Sequence, residues 1–138
     1  MFRLNVPVGI SGFSEIRENG YYYVDKTGLI RKLLSNVGTK VTLITRPRRF
    51  GKTLGMSMLE SFFDIQSDSA KLFEGLEIST DTVLCDRWMN QYPTIFLSFK
   101  RVDGLDFGGA YDMLTLVIEE LYKKHLYLLF QDIFAADR

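Results

Sequence analysis

The sequence predicts an α/β fold in which a parallel β-sheet is flanked by helices. Val41 to Thr45, VTLIT, is short, β-branched and apolar at both alternating sets of positions, which is typical of a strand buried on both faces. Thr94 to Phe99, TIFLSF, has the same character and predicts a second buried strand. After the first strand, apolar residues recur at spacings of three and four, which predicts a helix from about Lys52 to Ile65.

Other elements are predicted on both sides of this unit. Ser11 is a candidate cap for a short helix, and either Asp103 or Asp106 can cap a long helix. Asp25 directly precedes a segment whose apolar residues have helical spacing. These further elements are a short strand at Tyr21 to Val24 and helices at Phe13 to Glu18, Lys26 to Ser35, Ala70 to Phe73, Thr82 to Met89 and from the capping aspartate to about Phe130.

Length and composition indicate one soluble globular unit. The chain has 138 residues, of which 46% are hydrophobic, and no internal repeat or flexible linker marks a boundary. Basic and acidic residues both number 17, so any electrostatic function must be local. A lone Cys85, the absence of a secretion signal and the absence of an apolar segment long enough to span a membrane favour a cytoplasmic protein with no membrane partner.

The segment between the first strand and its helix, RPRRFGKT, matches the phosphate-binding pattern G-x-x-x-x-G-K-[ST] except that Arg46 occupies the first glycine position. In such a loop, backbone N–H groups and a helix N-terminus converge on phosphate, a lysine contacts the β and γ oxygens, and a hydroxyl binds Mg²⁺. We therefore predict a site for ATP and Mg²⁺. Its residues are Arg46, Arg48, Arg49, Phe50, Gly51, Lys52, Thr53 and Leu54, with Lys52 also catalytic and Thr53 as the metal ligand.

Arg46 is compatible with this interpretation. Pro47 restricts the residue before it to extended geometry, which an arginine at a strand end adopts without strain. Pro47 itself contributes no N–H to the loop. Arg48 and Arg49 can compensate, because guanidinium groups bind phosphate oxygens well.

The alternative is that Arg46 to Lys52 forms a basic patch of a non-catalytic module that binds nucleic acid or protein. Gly-Lys-Thr alone is too common to decide between the two hypotheses. The strand before the loop, the helix after it, and Gly55 as a small residue suited to close helix–sheet packing favour ATP. Nucleic acid therefore remains the less favoured partner.

PVGISGFSEIRENGYYYVDKTGLIRKLL followed by TLITRPRRFGKTLGMSML resembles the start of the bacterial AAA-ATPase-like family of predicted P-loop ATPases. YPTIFLSFKRVDG and ELYKKHLYLL extend the resemblance over nearly the whole chain. In that family the loop reads RPRRFGKS or RPRRFGKT, so Arg46 is the family's own form. The resemblance implies that the VDKT segment caps a helix and lines the nucleotide site. Members often carry a nuclease-like domain of the PD-(D/E)xK type, which nothing here matches.

The resemblance also implies an incomplete P-loop NTPase-type sheet. The family's magnesium-binding acid lies on a strand after the long helix, and residues 1–138 are expected to form the N-terminal part of the domain, truncated before that Walker B strand. Asp103 and Asp132 are weak substitutes in sequence. We therefore expect ATP binding with weak or absent hydrolysis, and self-association through an unpaired sheet edge is an open alternative. Stacking of Tyr21 to Tyr23 on adenine is less favoured than plain packing.

Overall fold

The computed structural model describes residues 4–36 and 38–130 of the chain. All of the regular elements in these residues are helices. The chain divides between Phe96 and Leu97 into two compact units. The first unit contains α1 (Phe13–Glu18), α2 (Gly28–Ser35), α3 (Lys52–Phe63), α4 (Ala70–Phe73), a 3-10 helix (Glu77–Thr80) and α5 (Thr82–Trp88), and the second contains α6 (Phe107–Lys124).

The predicted parallel β-sheet is wrong: the described residues contain no sheet. Residues 41–45 and 94–99 carry the strand pattern but do not form strands. Residues 21–24, predicted as a short strand, do not form one either. The described residues form one isolated parallel bridge, between Asp64 and Tyr92. The unpaired sheet edge that suggested self-association is therefore absent from the described part of the chain.

The reason is that a strand pattern states what a segment can bury, whereas a strand forms only when a neighbour completes its backbone hydrogen bonds. Val41 and Leu43 are 83% and 84% exposed, and Ile95 is 67% exposed. No described segment pairs with either of the two predicted buried strands. Most of their apolar side chains therefore remain exposed instead of forming a sheet interior.

Helix prediction was more accurate than strand prediction. α1 and α4 have the predicted bounds, whereas α2, α3 and α5 are one or two residues shorter than expected at one end. Ser11 does not cap α1, because the residue at that position is Gly12 and no side chain caps the helix.

The core of the first unit is an aromatic cluster shared by α1, α3 and α4. Phe13, Phe62 and Phe73 are fully buried, with ring centroids 4.8 Å apart for Phe13–Phe73 and 5.3 Å apart for Phe62–Phe73. Met58 from α3, Ile30 from α2, and Leu76 and Ile78 also belong to the cluster. Burial of each large apolar side chain contributes roughly 1.5–3 kcal/mol, so this cluster holds the helices together.

Polar contacts set the ends of these helices. The Phe13 N–H at the start of α1 donates to the Ser57 hydroxyl of α3 at 3.1 Å. Arg17 donates to the backbone carbonyls of Leu72 and Glu74 at 2.7 and 2.8 Å, which ties α1 to the end of α4. These bonds fix α1 against both of the helices that share its aromatic core.

Asn90 organises the C-terminal end of α3. Its backbone has φ of 55°, and its N–H donates to the Phe62 carbonyl at 2.7 Å. The Asn90 side-chain amide donates to the carbonyls of Ser61 and Asp64 at 3.1 and 2.9 Å. Its side-chain oxygen accepts from the Ser69 hydroxyl at 3.0 Å, so one residue satisfies several polar groups where the helix ends.

The segment before α2 is joined to the 3-10 helix by Asp25 and Thr27. The Asp25 carboxylate accepts from the Thr27 N–H at 2.9 Å, the Thr27 hydroxyl at 2.6 Å and the Glu77 N–H at 2.6 Å. The fully buried Thr27 hydroxyl in turn accepts from the Ile78 N–H at 3.2 Å. The two residues thereby attach the start of α2 to residues 52 and 51 positions away in sequence.

In the second unit, Asp106, one of the two predicted caps, caps the long helix, whereas the predicted end at about Phe130 is wrong because α6 ends at Lys124. The Asp106 carboxylate accepts from the Gly109 N–H at 2.8 Å, and α6 then runs to Lys124, where His125 is the C-terminal cap residue. Arg101 forms a two-pronged ion pair with Glu120 on α6, at 2.7 and 3.1 Å. Asp132, a weak candidate for the magnesium-binding acid, lies outside the described residues.

Among the helices that the structure describes, none combines the length and apolar character needed to cross a lipid bilayer.

The buried Thr27 hydroxyl is expected to contribute measurably to stability. Thr27→Val keeps the side-chain shape but leaves the Ile78 N–H without its acceptor, and an unsatisfied buried donor costs about 1–3 kcal/mol. We expect the free energy of unfolding, measured by urea denaturation, to fall by that amount. The exposed Thr39→Val is the control, and an equal stability for the Thr27 variant and the wild type would contradict this role.

The Asp25 contacts predict a pH-dependent contribution. Burial acts to raise the pKa of Asp25, but hydrogen bonds from the Thr27 side chain and the Glu77 and Thr27 N–H groups outweigh it and hold the pKa below its usual 3.8. Stability from this carboxylate is therefore complete above about pH 4 and is lost as the pH falls through the lowered pKa.

Asp25→Asn should accordingly be less stable than the wild type by about 1 kcal/mol at neutral pH, a value reduced for the group's solvent exposure. The difference should shrink below about pH 4, because the wild-type carboxyl is then protonated. Urea denaturation at a series of pH values measures it. A difference that is constant down to pH 2 would show that the ionised carboxylate contributes nothing.

Candidate functional site

The Gly-Lys-Thr loop opens onto the N-terminal end of α3. Gly51 precedes the helix with φ of 76°, a left-handed conformation that glycine adopts without a steric penalty. The first i-to-i+4 bond runs from the Gly55 N–H to the Gly51 carbonyl at 2.9 Å, and no side chain caps the helix. The N–H groups of the first helical turn are thus left without intrahelical partners and can bind an acceptor.

Lys52 closes the loop through its own side chain. Its Nζ donates to the Arg46 carbonyl at 2.7 Å, so that the ammonium group lies across the opening of the loop. Arg49 also has a positive φ, of 68°, which is uncommon for a residue with a side chain. Two left-handed residues, Arg49 and Gly51, therefore turn the backbone into the start of α3.

A cavity of about 880 Å³ lies beside this loop and is bounded by the loop, α2 and the start of α3. This volume falls within the range of small-molecule sites, roughly 300–1,000 Å³. Its wall combines charged, apolar and small residues. They are Asp25, Lys26, Gly28, Leu29, Arg31, Lys32, Ser35, Ile44, Arg46, Phe50, Gly51, Lys52, Gly55, Met56 and Glu77.

The cavity is electropositive. Five of its residues are basic and two are acidic. Arg31 is neutralised by Glu77 at 2.6 Å and approaches Asp81 at 3.6 Å. The other four cations, Lys26, Lys32, Arg46 and Lys52, have no carboxylate within 4.0 Å among the residues that the structure describes. Their combined field favours an anionic ligand.

Both acidic residues of the wall are already engaged. Asp25 accepts three hydrogen bonds from Thr27 and Glu77, and the Glu77 side chain pairs with Arg31. Neither carboxylate therefore neutralises Lys26, Lys32, Arg46 or Lys52. The wall therefore combines these cationic donors with the apolar side chains of Leu29, Ile44, Phe50 and Met56.

The predicted site residues are only partly brought together. Arg46, Phe50, Gly51 and Lys52 line the cavity, whereas Arg48, Arg49, Thr53 and Leu54 do not. Arg48, Arg49 and Thr53 are exposed on or beside the loop. The Leu54 side chain packs on the hydrophobic core, which leaves its backbone N–H as the group able to reach a ligand.

Sequence reasoning missed most of the α2 contribution, namely Leu29, Arg31, Lys32 and Ser35. Helical spacing of the apolar residues along α2 predicts amphipathicity but not which part of its polar face meets the loop. Gly55, which was expected to permit close helix–sheet packing, instead lines the cavity, and a Cβ added there would meet no neighbour within 4 Å.

Tyr21 to Tyr23 lie outside the cavity wall. The Tyr23 ring packs edge-on against Phe13 at 5.3 Å between centroids, and Tyr22 is exposed. Packing against the core is therefore the observed role of Tyr23.

Comparison with known proteins gives one family and one curated relative. The family described as "Predicted AAA-ATPase" matches residues 7–131. A protein of Azotobacter chroococcum mcd 1, described as "Uncharacterized protein in vnfD 5'region", is 40% identical over 102 residues, which is 72% of this chain and 18% of the relative. The chain thus spans less than a fifth of that relative's length. No solved structure matches.

The family match runs from before α1 to beyond α6 and includes the loop, the cavity wall and both units. This chain belongs to the AAA-ATPase-like family of predicted ATPases.

Proposed function

We propose that this chain binds ATP with Mg²⁺ in the cavity beside the Arg46–Thr53 loop. The observation that supports this most directly is the position of Lys52 and Gly51 on the wall of an electropositive cavity, at the uncapped start of α3. Membership of a predicted ATPase family is the independent support. Arg46, Phe50, Gly51 and Lys52 act from the cavity wall in this proposal, and Arg48, Arg49, Thr53 and the Leu54 N–H act from positions on the loop and the first turn of α3 beside it.

Lys52 is the main phosphate ligand in this proposal. In the structure its ammonium group donates to a neutral carbonyl, that of Arg46. Exchange of this acceptor for a phosphate oxygen is favourable, because the ammonium charge is attracted more strongly by an anionic oxygen than by the dipole of a neutral carbonyl. The N–H groups of Gly51 to Leu54 bind the same phosphate from the helix end.

The nucleoside lies against the apolar part of the wall in this proposal. Leu29, Ile44, Phe50 and Met56 supply a surface that can exclude water from a base, and Gly55, where an added Cβ would meet nothing within 4 Å, leaves room beside it. Thr53, exposed at the first turn of α3, would hold Mg²⁺ through its hydroxyl. Mg²⁺ held there would neutralise part of the charge of the phosphate groups.

Binding, and not hydrolysis, is the activity that we assign to the described residues. A P-loop hydrolase holds Mg²⁺ with a carboxylate in addition to the hydroxyl and orients water with a further side chain. The two carboxylates of this cavity, Asp25 and Glu77, are instead engaged by backbone N–H groups, Thr27 and Arg31.

Lys52→Ala is expected to weaken ATP–Mg²⁺ binding at least tenfold, because a hydrogen bond to a charged group contributes about 1.5–3 kcal/mol. Isothermal titration calorimetry measures the affinity. Lys40→Ala removes an exposed lysine outside the cavity and should leave the affinity at the wild-type value. Equal affinities for wild type and Lys52→Ala, or no heat at millimolar nucleotide, would exclude this site.

Titrations of the chain with ATP and with an oligonucleotide, at several salt concentrations, separate ATP binding from the alternative of a basic patch for nucleic acid. A patch spreads its binding energy over Arg46, Arg48, Arg49 and Lys52, and its affinity for single-stranded nucleic acid falls by about 0.7 log units per log unit of salt for each phosphate contacted. Tight oligonucleotide binding with this steep salt dependence, together with weak ATP binding, would favour the patch.

Arg48 and Arg49 are expected to contact the outermost phosphate, since both are exposed on the loop and neither forms an ion pair with a described carboxylate. The double variant Arg48→Ala/Arg49→Ala should therefore lose more affinity for ATP than for ADP, by roughly tenfold. Calorimetry with both nucleotides tests this. Parallel losses for ATP and ADP would place the two guanidinium groups elsewhere.

A further inference from the structure

Lys26 lies where a second lysine can reach a ligand bound by the loop. It precedes α2, yet its Nζ is 3.5 Å from the Phe50 carbonyl and 3.4 Å from the place that a Cβ on Gly51 would occupy. The chain thus brings together two lysines, Lys26 and Lys52, that are 26 positions apart in sequence. Both line the same cavity, on different elements.

The donors of Lys26 are largely unused. An ammonium group has three N–H donors, and its contact with the Phe50 carbonyl is at the long limit for a hydrogen bond. Among the described residues no carboxylate lies within 4.0 Å of it. A strongly hydrated point charge in this position is suited to bind an anion in the cavity.

The residues on either side of Lys26 hold the segment in place without neutralising it. Asp25 is the adjacent acid, but its oxygens accept from the Thr27 N–H, the Thr27 hydroxyl and the Glu77 N–H. Thr27 is fully buried. The backbone of Lys26 is therefore fixed on both sides, while its side chain extends along the loop and remains free to exchange its weak carbonyl contact for a stronger acceptor.

We propose that Lys26 is a second phosphate-binding lysine of this cavity, which donates from the α2 side to the polyphosphate that Lys52 binds from α3. This inference rests on the proposed nucleotide site and adds a residue outside the phosphate-loop motif. The ligand class is a nucleoside polyphosphate, and the contact is with its phosphate groups, not with its base.

Calorimetry with ATP–Mg²⁺ and with pyrophosphate–Mg²⁺ tests the contact, since pyrophosphate carries no nucleoside. Lys26→Ala should weaken the binding of both ligands about tenfold or more, and Lys26→Arg should recover most of the loss because it retains the charge. Lys32→Ala is the matched comparison: it removes the same charge from the cavity wall at a position without a contact to the loop, and its effect should be several-fold smaller.

Thermal melting of the ligand-free proteins checks that Lys26→Ala remains folded, and its melting temperature should match that of the wild type because the side chain is exposed. Wild-type affinity for Lys26→Ala, alongside a large loss for Lys52→Ala, would overturn the Lys26 contact and leave the nucleotide site standing. Equal losses for Lys26→Ala and Lys32→Ala, or a loss for ATP but not for pyrophosphate, would also overturn it. No binding by the wild type would refute both proposals.

Discussion

The buried Thr27 hydroxyl, bonded to Asp25 and to the Ile78 N–H, is the contact on which the cavity depends. It attaches the start of α2 to the 3-10 helix and so fixes one wall relative to the core beneath it. The neighbouring Glu77 N–H donates to Asp25, and the Glu77 side chain engages Arg31. Asp25 and Thr27 together thus hold the segment that neutralises one cation of α2.

The other wall is set by α3, whose C-terminal half is buried in the aromatic core through Met58 and Phe62. Because one end of the helix is held by packing, its N-terminal turn can project into solvent with free N–H groups. The same helix therefore contributes stability at one end and binding capacity at the other. Lys52 is the first residue of α3, and its side chain donates a hydrogen bond to the Arg46 carbonyl of the preceding loop.

Membership of a predicted ATPase family fits this division of roles, but the described chain departs from a sheet-centred architecture. Residues 41–45 enter the loop without strand partners, and their side chains are exposed. The cavity consequently owes its shape to helices and to backbone turns at Arg49 and Gly51. Nucleotide binding, as proposed here, would add phosphate contacts to the part of the site that has the least internal packing.

The sequence by itself determined the positions of most helices and the residue types that the loop presents. Periodic apolar residues placed α3, and an aspartate before a helix placed the start of α6, because both are local effects within a few residues. It also identified Gly51 and Lys52 through their spacing. Tertiary structure decided that Val41–Thr45 is unpaired, since pairing requires a distant partner that no local pattern specifies. It likewise decided that Lys26 meets Phe50, because the two residues are 24 positions apart in sequence and only the packing of the chain brings them together.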